Sequence, residues 1–163
     1  MTEPQETSLQ SHNYLDSLNL PYEKRTFPEN TKKGAANVAH AIGIQERQAV
    51  KTLVFAADTG EFVLVMLGGD QNAVSGLLKK AIGSRNIKLA PPEKVKELTG
   101  YEIGSIPPFH WQAEGFYTLI EATLMQEKTL GVGTGSWGNE ILISPKVLVE
   151  ASRATVVNLT IKE

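Results

Sequence analysis

Two runs at residues 49–57 and 61–67, AVKTLVFAA and EFVLVML, restrict the fold more than any other part of the chain. They are apolar and rich in β-branched residues, and only Asp58, Thr59 and Gly60 separate them. Such a pair around a short polar connection with glycine predicts an antiparallel hairpin. Alternation along the first strand puts Lys51, Leu53 and Phe55 on one face and Val50, Thr52, Val54 and Ala56 on the other. Lys51 therefore shares a face with apolar neighbours. Two readings stay open: its stem snorkels to solvent from the strand end, or its ammonium enters a pocket and meets an anion or a carbonyl.

Around the hairpin, helical and strand patterns interleave. Residues 1–8 are expected to form a flexible tail, and residues 9–163 one domain. Leu9, Tyr14, Leu15 and Leu18 recur at helical spacing, and a weak strand over 20–27 ends at Pro28. A short helix over 35–42 is closed by Gly43. It carries His40, read as exposed or satisfied because no partner histidine sits four residues on. Asn72 is placed to cap a helix with the stripe Val74, Leu77, Leu78, Ala81 and Ile82, stopped by Gly83. A strand over 87–89 precedes Pro91 and Pro92, which open a helix over 93–98 that Gly100 ends. Strands are expected over 115–121, 140–143 and 155–159, and Ser144 with Pro145 starts a helix reaching about Ala151. Glu121, at a strand end, reads either as surface or as a partner for Lys51 on a neighbouring strand. The pattern predicts an α/β (mixed) fold: a single domain with a mixed sheet flanked by helices.

Composition excludes several function classes. The chain has 163 residues, 41% hydrophobic and 21% charged, with a formal charge of −2. No global basic field draws it to nucleic acid, so such binding needs a local patch or a partner that supplies affinity. Lys32, Lys33, Lys79, Lys80, Arg85 and Lys88 could make a patch, or be solvated surface; the dipole of their helix already accounts for Lys79 and Lys80. With no cysteine, there is no thiol nucleophile, disulfide or thiolate metal site. His12, His40 and His110 match no ligand spacing, so no metal is expected. The N-terminus lacks an apolar signal region and no run reaches membrane-spanning length; the expected location is the cytoplasm.

Two glycine-rich stretches remain. Residues 99–111, TGYEIGSIPPFHW, set Gly100 and Gly104 beside Pro107, Pro108 and aromatics with neither helical nor strand period. The stretch is either a structural turn or a shaped loop presenting main-chain N–H and C=O groups to a small polar ligand. Residues 130–138, LGVGTGSWG, carry hydroxyls but lack the lysine of a phosphate-binding loop and do not lead into a helix, which excludes an NTPase.

In order and spacing, three stretches resemble the YbaK and prolyl-tRNA synthetase-associated domain family of aminoacyl-tRNA editing proteins. They are residues 35–55 with Gly43 and the Lys51–Thr52–Leu53–Val54 core, Gly68–Gly69–Asp70, and the GxxxP loop Gly104–Ser105–Ile106–Pro107–Pro108. The similarity runs from about residue 10 to 160. It implies a barrel-like mixed sheet and a deacylase that acts in trans, with no cofactor or metal. The substrate would be tRNA for proline carrying alanine, cysteine or another small amino acid, and an aminoacyl-tRNA synthetase would be a further partner. It implies a catalytic set of Lys51, Gly104 and Pro108, with Lys51 as a positive anchor. Ser105, Ile106, Pro107, Phe109 and His110 would contact substrate, and Gly133, Thr134, Gly135 and Ser136 would line the amino-acid pocket. Two positions depart from the family pattern: His110 stands where glycine is usual and Glu121 where aspartate is common. His110 would narrow the pocket, add an acid/base group or face solvent. The alternative reading is a binding module for a tRNA 3′ end, nucleotide or free amino acid without turnover.

Overall fold

The structure is a computed structural model and describes residues 9–161; the expected tail, residues 1–8, lies outside the described residues. The elements in chain order are α1 (Gln10–Ser17), β1 (Glu23–Thr26), α2 (Ala35–Ile42), β2 (Lys51–Ala57), β3 (Phe62–Leu67), α3 (Ser75–Ile82), β4 (Ile87–Leu89), α4 (Pro92–Thr99), β5 (Tyr117–Glu121), β6 (Leu130–Gly133), β7 (Asn139–Ile143), α5 (Pro145–Ser152) and β8 (Thr155–Val157). The mixed α/β architecture is as expected, but it is built from two sheets and does not close into a barrel. The larger sheet runs β4-β2-β3-β5-β8 and the smaller β1-β7-β6. They meet at a parallel bridge between Ala49 and Gly131, where the Val50 N–H donates to the Gly131 carbonyl at 2.9 Å.

The β2/β3 hairpin forms as expected, and its register sets Lys51 opposite Leu67 and Phe55 opposite Val63. Its alternation divides the core. Leu53, Phe55, Val63, Val65 and Leu67 pack with Leu78 of α3 and with Leu159. On the opposite face Val54 and Leu64 pack with Ala90, Val95 of α4 and Ile106. Met66 and Ile120 meet the inner face of the smaller sheet, Leu130, Val132, Ile141 and Ile143, with Leu15, Phe109 and Leu148. Burying an aliphatic side chain of this size stabilises by roughly 1.5–3 kcal/mol, so this inter-sheet layer is the main source of cohesion.

Some local expectations change. Residues 130–133 form strand β6 inside the second glycine-rich stretch. Asn72 does not cap α3, whose N-cap is Val74 without a side-chain bond; the Asn72 side chain instead accepts from Lys51 Nζ at 3.5 Å. Glu121 is fully buried and does not pair with Lys51. It accepts from Thr123 N and Oγ1 at 2.9 and 2.7 Å and from Leu159 N at 2.7 Å, tying the C-terminal segment to the end of β5. These donors hold its carboxyl below the usual carboxylate range despite burial.

The end of β3 is seated on the turn before β2 through Gly69. A Cβ there would meet the Ala35 Cβ at 2.7 Å and the Ala49 carbonyl oxygen at 2.9 Å, as well as the Glu46 carbonyl. Gly69→Ala is therefore expected to destabilise by about 1–3 kcal/mol through overpacking against backbone. Gly76→Ala, on α3 with open space around its added methyl, is expected to be neutral or stabilising by a few tenths of a kcal/mol. Urea unfolding midpoints of the two variants, with unchanged m-values, check the contrast.

Candidate functional site

The two glycine-rich stretches are neighbours in space. Strand β6 presents Leu130 and Val132 to the inter-sheet core, so alternation turns Gly131 and Gly133 to the other face of the smaller sheet. Both positions are bare because something occupies the space a side chain would fill. A Cβ on Gly133 would lie 2.9 Å from the Ser105 carbonyl oxygen and 3.3 Å from that of Ile106. One on Gly131 would lie 3.0 Å from Ile44 Cδ1 and 3.5 Å from Glu140 Oε2. The loop at 104–106 thus rests on β6, and the Gly135 N–H fastens it by donating to the Ser105 carbonyl at 2.7 Å. Behind it the Tyr101 ring covers Gly135, and Tyr101 Oη hydrogen-bonds with His110 Nε2 at 2.9 Å and donates to Gln10 Oε1 at 3.3 Å.

Between this loop, Gly133 on β6, α2 and β2 lies a cavity of ≈ 560 Å³, a size suited to a small ligand. Ala35, Val38, Ala49, Val54 and Ile106 make its walls apolar, and Phe27, Lys33 and Trp137 also border it. Trp137 packs edge-on against Phe27 with centroids 4.8 Å apart, while Lys33 Nζ sits 3.8 Å over its ring. Opposite this aromatic border, β2 has an open edge. The Ala57 N–H bonds the Glu61 carbonyl, so odd-numbered residues of β2 pair with β3 and even-numbered ones face away. Val54 is met there by the Ala90 N–H and Val50 by Gly131. Between them β4 pairs only with Phe55 to Ala57, which leaves the main-chain N–H and C=O of Thr52 directed at the gap.

Of the residues expected from the sequence, Lys51, Gly104, Ser105, Ile106, Gly133 and Ser136 line this one cavity. The Lys51 ammonium is turned to Asn72, outside the cavity lining, so the lysine stands at the edge and does not reach over the loop. Pro107, Pro108, Phe109, His110, Thr134 and Gly135 do not line it. Phe109 is fully buried in the inter-sheet core. The carbonyls of Pro107 and Pro108 accept from Trp111 Nε1 at 2.6 Å and Gln112 Nε2 at 2.8 Å. Thr134 Oγ1 bonds the carbonyls of Ser136 and Asn139. These residues hold the loops in shape from behind. His110, at φ 76°, supports Tyr101, and burial lowers its pKa.

Sequence reasoning missed Glu140. It is 8% exposed and lines the cavity, and among the described residues no hydrogen bond or ion pair reaches its carboxyl. Burial alone pushes that carboxyl up to about 8. Its alternation with Ile141 carried the signal: Glu140 and Leu142 share the face that holds Gly131 and Gly133, since Glu140 is registered with Gly133 and Leu142 with Gly131.

Residues 29–151 match the model of the family described as the aminoacyl-tRNA editing domain. EbsC of Enterococcus faecalis, provisionally named a Cys-tRNA(Pro)/Cys-tRNA(Cys) deacylase, is 24% identical over 91% of this chain and 91% of its own length. The proline–tRNA ligase of Thermodesulfovibrio yellowstonii is 35% identical over 58% of this chain, which spans only 16% of the ligase. A crystal structure provisionally described as a trans-editing enzyme for prolyl-tRNA synthetase superposes with a TM-score of 0.83 at 24% identity, covering 96% of this chain and all of that one.

The raised Glu140 carboxyl makes stability depend on pH. Its proton is held more tightly in the folded chain than in the unfolded one, where the ordinary value is 4.5, so its contribution falls as pH rises from about 4.5 towards 8. Glu140→Gln removes that loss. The melting temperature of the variant minus that of the wild type is expected to increase steadily from pH 5 to pH 8. A constant difference would show that the carboxyl is not desolvated.

Proposed function

Since the chain belongs to the aminoacyl-tRNA editing domain family, we propose that it hydrolyses the ester of a mischarged tRNA in trans, with tRNA for proline carrying alanine, cysteine or another small amino acid as substrate. The observation that carries this reading is the loop at 104–106 seated on bare β6, forming one wall of an apolar cavity whose opposite wall is an open strand edge. Water adds to the ester carbonyl, the tetrahedral intermediate expels the ribose hydroxyl oxygen, and a proton passes from the water to that oxygen. Free amino acid and uncharged tRNA leave.

An aminoacyl ester is activated enough that fixed dipoles and a held water supply most of the acceleration. The N–H groups of Gly104 and Ile106 have no hydrogen-bond acceptor among the described residues, and both residues line the cavity. They are the donors for the carbonyl oxygen as charge develops on it. The small walls, Ala35, Val38 and Ala49, limit the amino-acid side chain. Lys33 leaves the Trp137 ring for the ribose-phosphate, which frees that face for the terminal adenine, and Lys51 meets the ribose-phosphate at the edge. The cytoplasm, where charged tRNA is used, is the place of action, and the net charge of −2 favours a synthetase as the source of further tRNA affinity.

Purified protein is expected to release alanine or cysteine from mischarged tRNA for proline while sparing prolyl-tRNA. Lys51→Ala should lower kcat/KM about a hundredfold, mainly through KM, as an anchor at the edge would. Gly133→Ala should lower kcat by a similar factor by lifting the loop, with the fold retained. Intact substrates across a panel of mischarged tRNAs, cleared by a related deacylase in parallel, would overturn the activity; analogue binding without turnover would instead mark a binding module.

A further inference from the structure

Among the described residues, the cavity is lined by one acid, and no cation answers it. Glu140 projects from β7 over the bare Gly131, its Oε2 3.5 Å from where a Cβ of that glycine would lie. The nearby cations are engaged elsewhere. Lys33 lies over Trp137, and Lys51 reaches Asn72. Arg25, directly across from Glu140 on β1, turns to Glu23 and the Lys24 carbonyl. A buried carboxyl with no partner is costly for the empty protein, and neither the apolar walls Ala35, Val38, Val54 and Ile106 nor the polar lining residues Ser105, Ser136 and Asn139 bond it.

A ligand that brings its own cation removes that cost. Every aminoacyl ester carries a primary or secondary ammonium on the carbon next to the reacting carbonyl. From the loop at 104–106 the carbonyl is addressed on one side, and Gly133, which carries that loop, is registered with Glu140. The ammonium therefore falls beside Gly133, where Glu140 lines the cavity. Resting on the editing reading above, we infer that Glu140 is the binding residue for the substrate's α-ammonium, and that the cavity thereby selects esters with a free α-amino group over N-blocked ones. Aminoacyl-tRNA would be a substrate, whereas peptidyl-tRNA and formylated initiator tRNA, whose nitrogen is an amide, would be refused. A neutral amide brings no charge to answer the buried carboxyl.

The test is titration calorimetry with an amide-linked 3′-alanylamino-adenosine, which resists deacylation, and its N-acetyl derivative. The wild type is expected to bind the free amine about tenfold more tightly or better, the scale of one charge-assisted hydrogen bond. Glu140→Gln should reduce that ratio to about twofold or less, with its melting curve showing that it is folded. Equal affinity of the wild type for both compounds, failure to bind either, or an undiminished ratio in Glu140→Gln would each overturn the inference. A parallel assay separates it from the editing reading. Equal hydrolysis of alanyl- and N-acetylalanyl-tRNA ends the ammonium assignment and leaves the deacylase standing. Discrimination in binding without hydrolysis of any tRNA ends the deacylase and leaves the ammonium site.

Discussion

A main-chain contact, the seating of the Ser105 carbonyl on Gly133 with the Gly135 N–H bonded to it, determines what the rest of the molecule can be. The contact requires a strand with no side chain on one face, yet that strand must still be anchored. Leu130 and Val132 anchor it from the other face, buried in the layer between the sheets. Alternation of leucine or valine with glycine thus gives β6 one face for cohesion and one for close approach. Tyr101, His110 and Gln10 then brace the loop from behind, so its free N–H groups are held in place before any ligand arrives.

The cavity follows from incomplete pairing. Strand β4 meets only the far half of β2, and β6 touches only its beginning, so main-chain polar groups between them face an apolar hollow. Elsewhere an unpaired edge invites another strand; here α4, the loop at 104–106 and α2 restrict access to a small ligand. An open edge, two unbonded loop N–H groups and an unpaired carboxyl concentrate unsatisfied polarity in one place. That concentration is the physical mark of a site, and it fits ester chemistry that asks for positioned dipoles and water more than for a strong nucleophile.

Much of this was legible in the sequence because it rests on local rules. The hairpin at Asp58–Gly60, the glycine ends of α2, α3 and α4, and the Ser144 cap follow from turn and cap chemistry, and Ser144 Oγ does accept from Val147 N. What was not legible depends on tertiary partners. Glycine hides β6, since its strand character comes from pairing with β7. Pro107 and Phe109 read as substrate contacts and Pro108 as the residue that shapes the loop, but all three are buried and none lines the cavity, because a rigid apolar triplet serves equally well as packing. Lys51 lies at the expected cavity with its ammonium turned aside, a choice set by Asn72 in the segment before α3. Glu140 escaped notice because one acid at the start of a strand normally faces water.

The most direct test of this account is a crystal structure with the amide-linked 3′-alanylamino-adenosine bound. The account predicts its carbonyl oxygen about 3 Å from the N–H of Gly104 or Ile106, with the adenine at Trp137. A ligand seated outside this cavity, or one whose carbonyl points to solvent with the loop N–H groups left empty, would contradict it.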